Sequence, residues 1–86
     1  MNEKDNVATA LEPLKAGSVV FVAFHGHTAR IKLASNIPLG HKFALEELKR
    51  GAAVVKYGEP IGITISAVGK GEHVHIHNIV SPPGEA

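Results

Sequence analysis

Apolar positions in this chain fall in short runs cut by glycine and proline, a pattern that predicts strands. Ser18-Val19-Val20-Phe21-Val22-Ala23 is β-branched and aromatic, as a buried strand requires. Residues 29–33 alternate apolar with basic, as a half-exposed strand does. Val54-Val55 begins another strand, and 61–68 and 73–80 read as two more, linked by Gly69-Lys70-Gly71-Glu72 as a hairpin loop. Residues 7–11 fit either a strand or a helical turn, ended by Glu12-Pro13. Ala16-Gly17, His25-Gly26-His27 and Tyr57-Gly58-Glu59-Pro60 are turn signals, and Pro38 and Gly40 interrupt the chain between them. One helix is expected, over 44–51, with acids early, bases late and Gly51 as its cap. Pro82-Pro83-Gly84 should stop the last strand and leave a frayed tail. No internal repeat is evident. The pattern as a whole predicts an all-β barrel or clip with one short helix.

Length narrows this to one domain over 1–86 with a thin core, since a chain of 86 residues buries only roughly 60–65% of its unfolded surface. There is no cysteine, so neither disulfides nor thiolate metal ligands support it. The polar start, Met1-Asn2-Glu3-Lys4-Asp5-Asn6, lacks a signal-peptide pattern, and no apolar run approaches the roughly 18 residues of a membrane helix. The expectation is a cytoplasmic chain without membrane contact. A formal charge of +1, no Trp and a single Tyr argue against nucleic acid as a partner.

Histidine changes the picture: there are six, four of them in His25-Gly26-His27 and His75-Ile76-His77. If 73–77 is a strand, His73, His75 and His77 share one face roughly 7 Å apart, with Val74 and Ile76 on the core side. That face is either a plain polar surface or a site. A metal held by two such imidazoles needs a further ligand, which His25, His27 or His41 would have to supply. Lys56, at the end of Val54-Val55, can point outward to an anion or stand solvated. Tyr57 follows it in the turn. His41-Lys42 sets another imidazole and cation before the expected helix. Phe43, Ala44, Leu45 and Leu48 read as core, while Glu46, Glu47, Lys49 and Arg50 read as solvated.

Four blocks carry a family resemblance in order: Asp5-Asn6-Val7-Ala8-Thr9-Ala10-Leu11, Gly40-His41-Lys42-Phe43-Ala44-Leu45, Lys56-Tyr57-Gly58-Glu59-Pro60-Ile61-Gly62 and Gly71-Glu72-His73-Val74-His75-Ile76-His77-Asn78. Together they resemble the N-terminal module of the altronate and galactarate dehydratase family, which includes the small subunit of sulfolactate sulfo-lyase. The resemblance implies an SAF domain of β-clip fold. It also implies a much larger partner, here a separate large catalytic subunit, that carries divalent iron or manganese. Family chemistry eliminates water, or a similar group, from a small hydroxy acid. Such a step needs a base, an acid and a cation for the carboxylate, roles suited to histidine and lysine. The resemblance makes His75 and His77 the candidate catalytic residues, with Lys56, His41, Lys42, Tyr57 and Asn78 as candidates for holding substrate. His25 and His27 lie outside it. The competing readings are a stand-alone carbohydrate- or anion-binding module and a small metal-binding protein.

Overall fold

Turns at glycine organise this chain. Gly17, Gly40, Gly51 and Gly71 all have φ between 81° and 87°. In each case the residue after the glycine donates its N–H to the carbonyl two residues before the glycine: Ser18 to Lys15, His41 to Pro38, Ala52 to Lys49 and Glu72 to Gly69. That bond with positive φ at the third position is the form of a type II turn, which glycine adopts without strain. The computed structural model describes residues 5–75 and 77–80.

Between these turns run eight short strands: β1 (Val7–Thr9), β2 (Val19–Phe24), β3 (His27–Lys32), β4 (Lys42–Ala44), β5 (Ala53–Lys56), β6 (Glu59–Thr64), β7 (His73–Val74) and β8 (Ile79–Val80). They form an antiparallel sheet in the order β1-β4-β7, the hairpin β2-β3, and a sheet in the order β5-β6-β8. The two long hairpins close at His25-Gly26 and Tyr57-Gly58, where all four residues have positive φ. Such two-residue turns match the natural twist of paired strands.

The fold also contains a repeat that sequence reading missed. A strand, a glycine-turn loop, a hairpin, a second such loop and a strand occur twice, with β4 ending the first unit and opening the second. The loops clasp in pairs, Leu14 bridging Ile37 in one unit and Leu48 bridging Val68 in the other. The matching sequence is Leu11-Glu12-Pro13-Leu14-Lys15-Ala16-Gly17 against Leu45-Glu46-Glu47-Leu48-Lys49-Arg50-Gly51.

Each unit packs its own apolar cluster. Ala8, Ala29, Ile31, Leu33, Ile37 and Phe43 make one, and Val7, Ala44, Leu48, Val54, Val68 and Val74 the other. Neighbours Val7 and Ala8 serve different clusters, as do Phe43 and Ala44, because successive strand residues face opposite sides. Sheet β1-β4-β7 is thus the wall between two cores. The expected core residues Phe43, Ala44, Leu45 and Leu48 are all buried.

The all-β expectation holds, but the helix over 44–51 does not: the described residues contain none. Two turns are too few to hold a helix without tertiary support, and here the backbone bonds go elsewhere. Leu45, Leu48 and Gly51 donate their N–H groups to Asn6, Val68 and Thr64. Glu46, Glu47, Lys49 and Arg50 are exposed as expected. Nor is 69–72 a hairpin loop. β6 pairs with β8 and β7 with β4, so the chain crosses between sheets there. The expected strand 61–68 ends at Thr64, and 73–80 breaks after Val74. Expectations for Met1–Lys4, for Ile76 and for the Pro82-Pro83-Gly84 stop lie outside the described residues.

Candidate functional site

The site is built where β4 and β7 lie side by side. His73 opens β7 and pairs with Phe43, and Lys42 pairs with Val74. His41 directly precedes β4 and is fixed from both sides: its N–H bonds to Pro38 and its carbonyl accepts from Ala10. After Val74 the chain turns instead of continuing. Asn78 locks that turn, its side-chain oxygen accepting from the His75 N–H at 2.9 Å and its amide donating to the His73 carbonyl at 2.8 Å. The Asn78 N–H closes the loop onto the His75 carbonyl at 3.0 Å.

This turn corrects the expected row of imidazoles along a strand and brings in a fourth ring. His41 Nδ1 and His73 Nε2 are 2.8 Å apart. Their ring centres are 5.0 Å apart and nearly parallel at 17°. One hydrogen bond plus two ring radii accounts for that separation, so these two rings meet edge to edge. His75 stacks face-on over His41 at 4.0 Å and lies 5.6 Å from His73. His77 is exposed, its ring centre 5.0 Å from that of His73.

Crowding of like groups disfavours protonation. His73 is held below the usual imidazole value, first by burial and then by His77, His41 and His75. His75 is lowered too, by lost solvation first, then by His41, His77 and Lys42. Among the described residues no carboxylate bonds to this group. It therefore offers imidazole nitrogens as bases and metal ligands, with the charge of Lys42 acting on His75. His41, His73 and His75 each present a ligand nitrogen, all within 4.8 Å of one another.

Lys56 corrects a second expectation. It does not point outward: it is 7% exposed, its ammonium 3.6 Å from Asp5 Oδ2 and 4.3 Å from the Tyr57 ring centre. Asp5 also accepts from the Gly58 N–H, and Asn6 bonds both the Ala53 carbonyl and the Val55 N–H. Lys56 thus ties the start of the chain to the β5-β6 hairpin. Tyr57 is exposed at that hairpin's tip, and among the described residues no ring contact or hydrogen bond joins it to the histidines. Asn78 is buried and spends both ends of its side chain on the turn. His25 and His27 lie at the other hairpin, against Phe24.

The family model for the altronate/galactarate dehydratase SAF domain matches residues 1–82. This chain belongs to that family. Altronate dehydratase of Escherichia coli (strain K12) is 43% identical over 74 residues, covering 86% of this chain and 14% of that protein. (2R)-sulfolactate sulfo-lyase subunit alpha of Chromohalobacter salexigens is 34% identical over 71 residues, covering 80% of this chain and 76% of that subunit. Its counterpart from Paracoccus pantotrophus is 47% identical over 49 residues, covering 57% of this chain and 73% of the subunit. The chain thus spans a small part of the dehydratase and about three-quarters of the sulfo-lyase subunits.

In this SAF domain, sequence reading singled out His75, His77, His41 and Lys42, which the fold gathers, and underrated His73, the central ring. Its position beside the Gly71 turn, matching Lys42 beside Gly40, was the available signal. Asp5 was missed altogether, since nothing local shows which buried cation a carboxylate will meet.

Proposed function

We propose that this chain is the small subunit of a two-component lyase of the hydro-lyase type. In this reading it covers and completes the metal-containing active site of a separate large catalytic subunit, which would carry the divalent iron or manganese. The substrate class is a small hydroxy acid, a sugar acid such as altronate or galactarate. The observation that carries the reading is the joint placement of His41, His73, His75 and His77, with the charge of Lys42 acting on His75, in a chain aligned with most of a sulfo-lyase subunit alpha.

Elimination removes a proton from the carbon next to the carboxylate and expels the neighbouring hydroxyl as water. Imidazoles held below their usual pKa are neutral near pH 7, so His73 and His75 are ready to accept a proton. A second imidazole hands a proton to the departing oxygen, His77 being the exposed ring available for it. Lys42 attracts the substrate carboxylate as a point charge. Sulfite is the alternative leaving group, because this chain covers about three-quarters of the sulfo-lyase subunits alpha.

In the described residues no helix is long and apolar enough to cross a membrane, and the reading takes the complex to be cytoplasmic. Co-purification from the host followed by assay against a panel of hydroxy acids tests it. The expected result is a large chain recovered with this one, and a 2-oxo acid formed by the pair but by neither alone. Isolation of the chain by itself, or a complex without elimination activity, overturns the reading.

A further inference from the structure

We propose that His41, His73 and His75 form a site at which this chain itself binds one divalent transition-metal ion of the zinc or ferrous class. The inference does not rest on the lyase reading, which places its metal on another polypeptide and uses His73 and His75 as bases; with an ion bound here, those nitrogens are its ligands instead.

Three observations converge. The donors are close: two nitrogens on one zinc at ~2.0–2.1 Å stand about 3.3 Å apart in tetrahedral geometry, and these three lie within 4.8 Å of one another. No ring tip therefore needs to move more than about 1.5 Å to close the set. His41 Nδ1 and His73 Nε2 already face each other at 2.8 Å, so an ion takes the place of the proton between them.

The backbone is fixed while the rings are not. β4 and β7 pair through Phe43 and His73, and Asn78 clamps the His73-to-His75 turn. The rings are half-buried, and among the described residues their ring contacts and ring hydrogen bond are with other histidines. Turning out of their parallel arrangement gives up one ring-to-ring hydrogen bond and the His41–His75 stack.

Chemistry selects the ion. Imidazole suits zinc, iron, copper and nickel, and the absence of oxygen donors in the set disfavours calcium and magnesium. Three protein ligands leave a position open, as in catalytic zinc sites. Lys42 acts electrostatically on His75, so an anion or a bound water is the fitting fourth ligand. His77 stands next to His73 as an alternative.

The test uses the untagged 86-residue chain, stripped with a chelator and dialysed against zinc. One zinc per chain is expected. His41→Ala, His73→Ala and His75→Ala should each weaken binding by roughly 100-fold or more, beyond what loss of a supporting residue does. His25→Asn combined with His27→Ala should leave affinity within about twofold, since neither belongs to the set. X-ray absorption on the wild-type chain should show three imidazole nitrogens at about 2.0–2.1 Å, a readout independent of whether any variant folds. No uptake, uptake abolished only by the His25 and His27 changes, or fewer than three imidazoles at the ion overturns the proposal. Zinc uptake without elimination activity in any complex would sink the lyase reading alone.

Discussion

His41 Nδ1 faces His73 Nε2 at 2.8 Å, a distance at which two imidazole nitrogens must share one proton. One ring therefore donates and the other accepts. In the metal-free chain, nitrogen-15 spectra should show one of these two nitrogens protonated and its counterpart bare. His41→Ala should shift the His73 ring signals toward those of an unconstrained histidine. Both of these nitrogens bare, or both protonated, would refute the pairing.

Asp5 and Lys56 make a buried ion pair far apart in sequence, with the carboxylate 1% exposed. Asp5→Ala strands the ammonium and also removes the acceptor of the Gly58 N–H. Breaking a buried pair is costly, and urea unfolding should show a loss of about 3 kcal/mol. A loss below about 0.5 kcal/mol, as for an exposed pair, would show that Lys56 reaches solvent.

Asn78→Asp keeps the acceptor for the His75 N–H but sets a carboxylate oxygen against the His73 carbonyl. The loss should be about 1–3 kcal/mol, that of a buried acceptor left without a donor. Chemical shifts should move at His73 and His75 while the β2-β3 hairpin stays as it was. Changes spread evenly over the chain would argue against a local clamp.

Acid should weaken the metal-free fold. Free imidazole titrates near 6.5, while His73 and His75 are lowered in the folded chain. Just below 6.5 the unfolded chain binds more protons than the folded one, so stability rises with pH across that window. It should be full above 6.5 and decline as the pH falls through the lowered values. Urea midpoints measured with chelator at a series of pH values check this. His73→Gln with His75→Gln should flatten the slope, and a midpoint that rises on acidification would contradict the assignment.

Much of this molecule was legible from its residues, and the failures have physical causes. Turn chemistry and β-branched runs located most strands, and the buried identity of Leu45 and Leu48 was right even though the helix was not. Leu45-Glu46-Glu47-Leu48-Lys49-Arg50-Gly51 carries a helix's charge order, yet it repeats Leu11-Glu12-Pro13-Leu14-Lys15-Ala16-Gly17. Pro13 lies mid-way through the first copy, where a helix would be broken. Comparing the copies would have exposed both as loops. The histidine group was half visible, because period-2 spacing cannot anticipate that Asn78 folds 73–78 back on itself. Lys56 was misread because its partner, Asp5, lies near the start of the chain, where only tertiary pairing could reveal it.

Gly71 shows how closely the two units interlock. Its φ is +84°, and a Cβ there would collide with the Lys32 carbonyl, whereas the same atom on Gly17 meets nothing. Gly17→Ala should cost about 1–2 kcal/mol from backbone strain alone. Gly71→Ala should cost clearly more, read as a larger drop in urea midpoint. Equal effects would mean the contact relaxes freely.

The wall strand β4 belongs to both repeats, and the imidazoles come from either side of the second hairpin: His41 before it, His73 and its neighbours after it. Cleaving the polypeptide at the Tyr57-Gly58 tip would leave part of the cluster on each fragment. Mixing the fragments should regenerate it, so the protein divides naturally into a complementing pair whose reunion can be followed by its histidines.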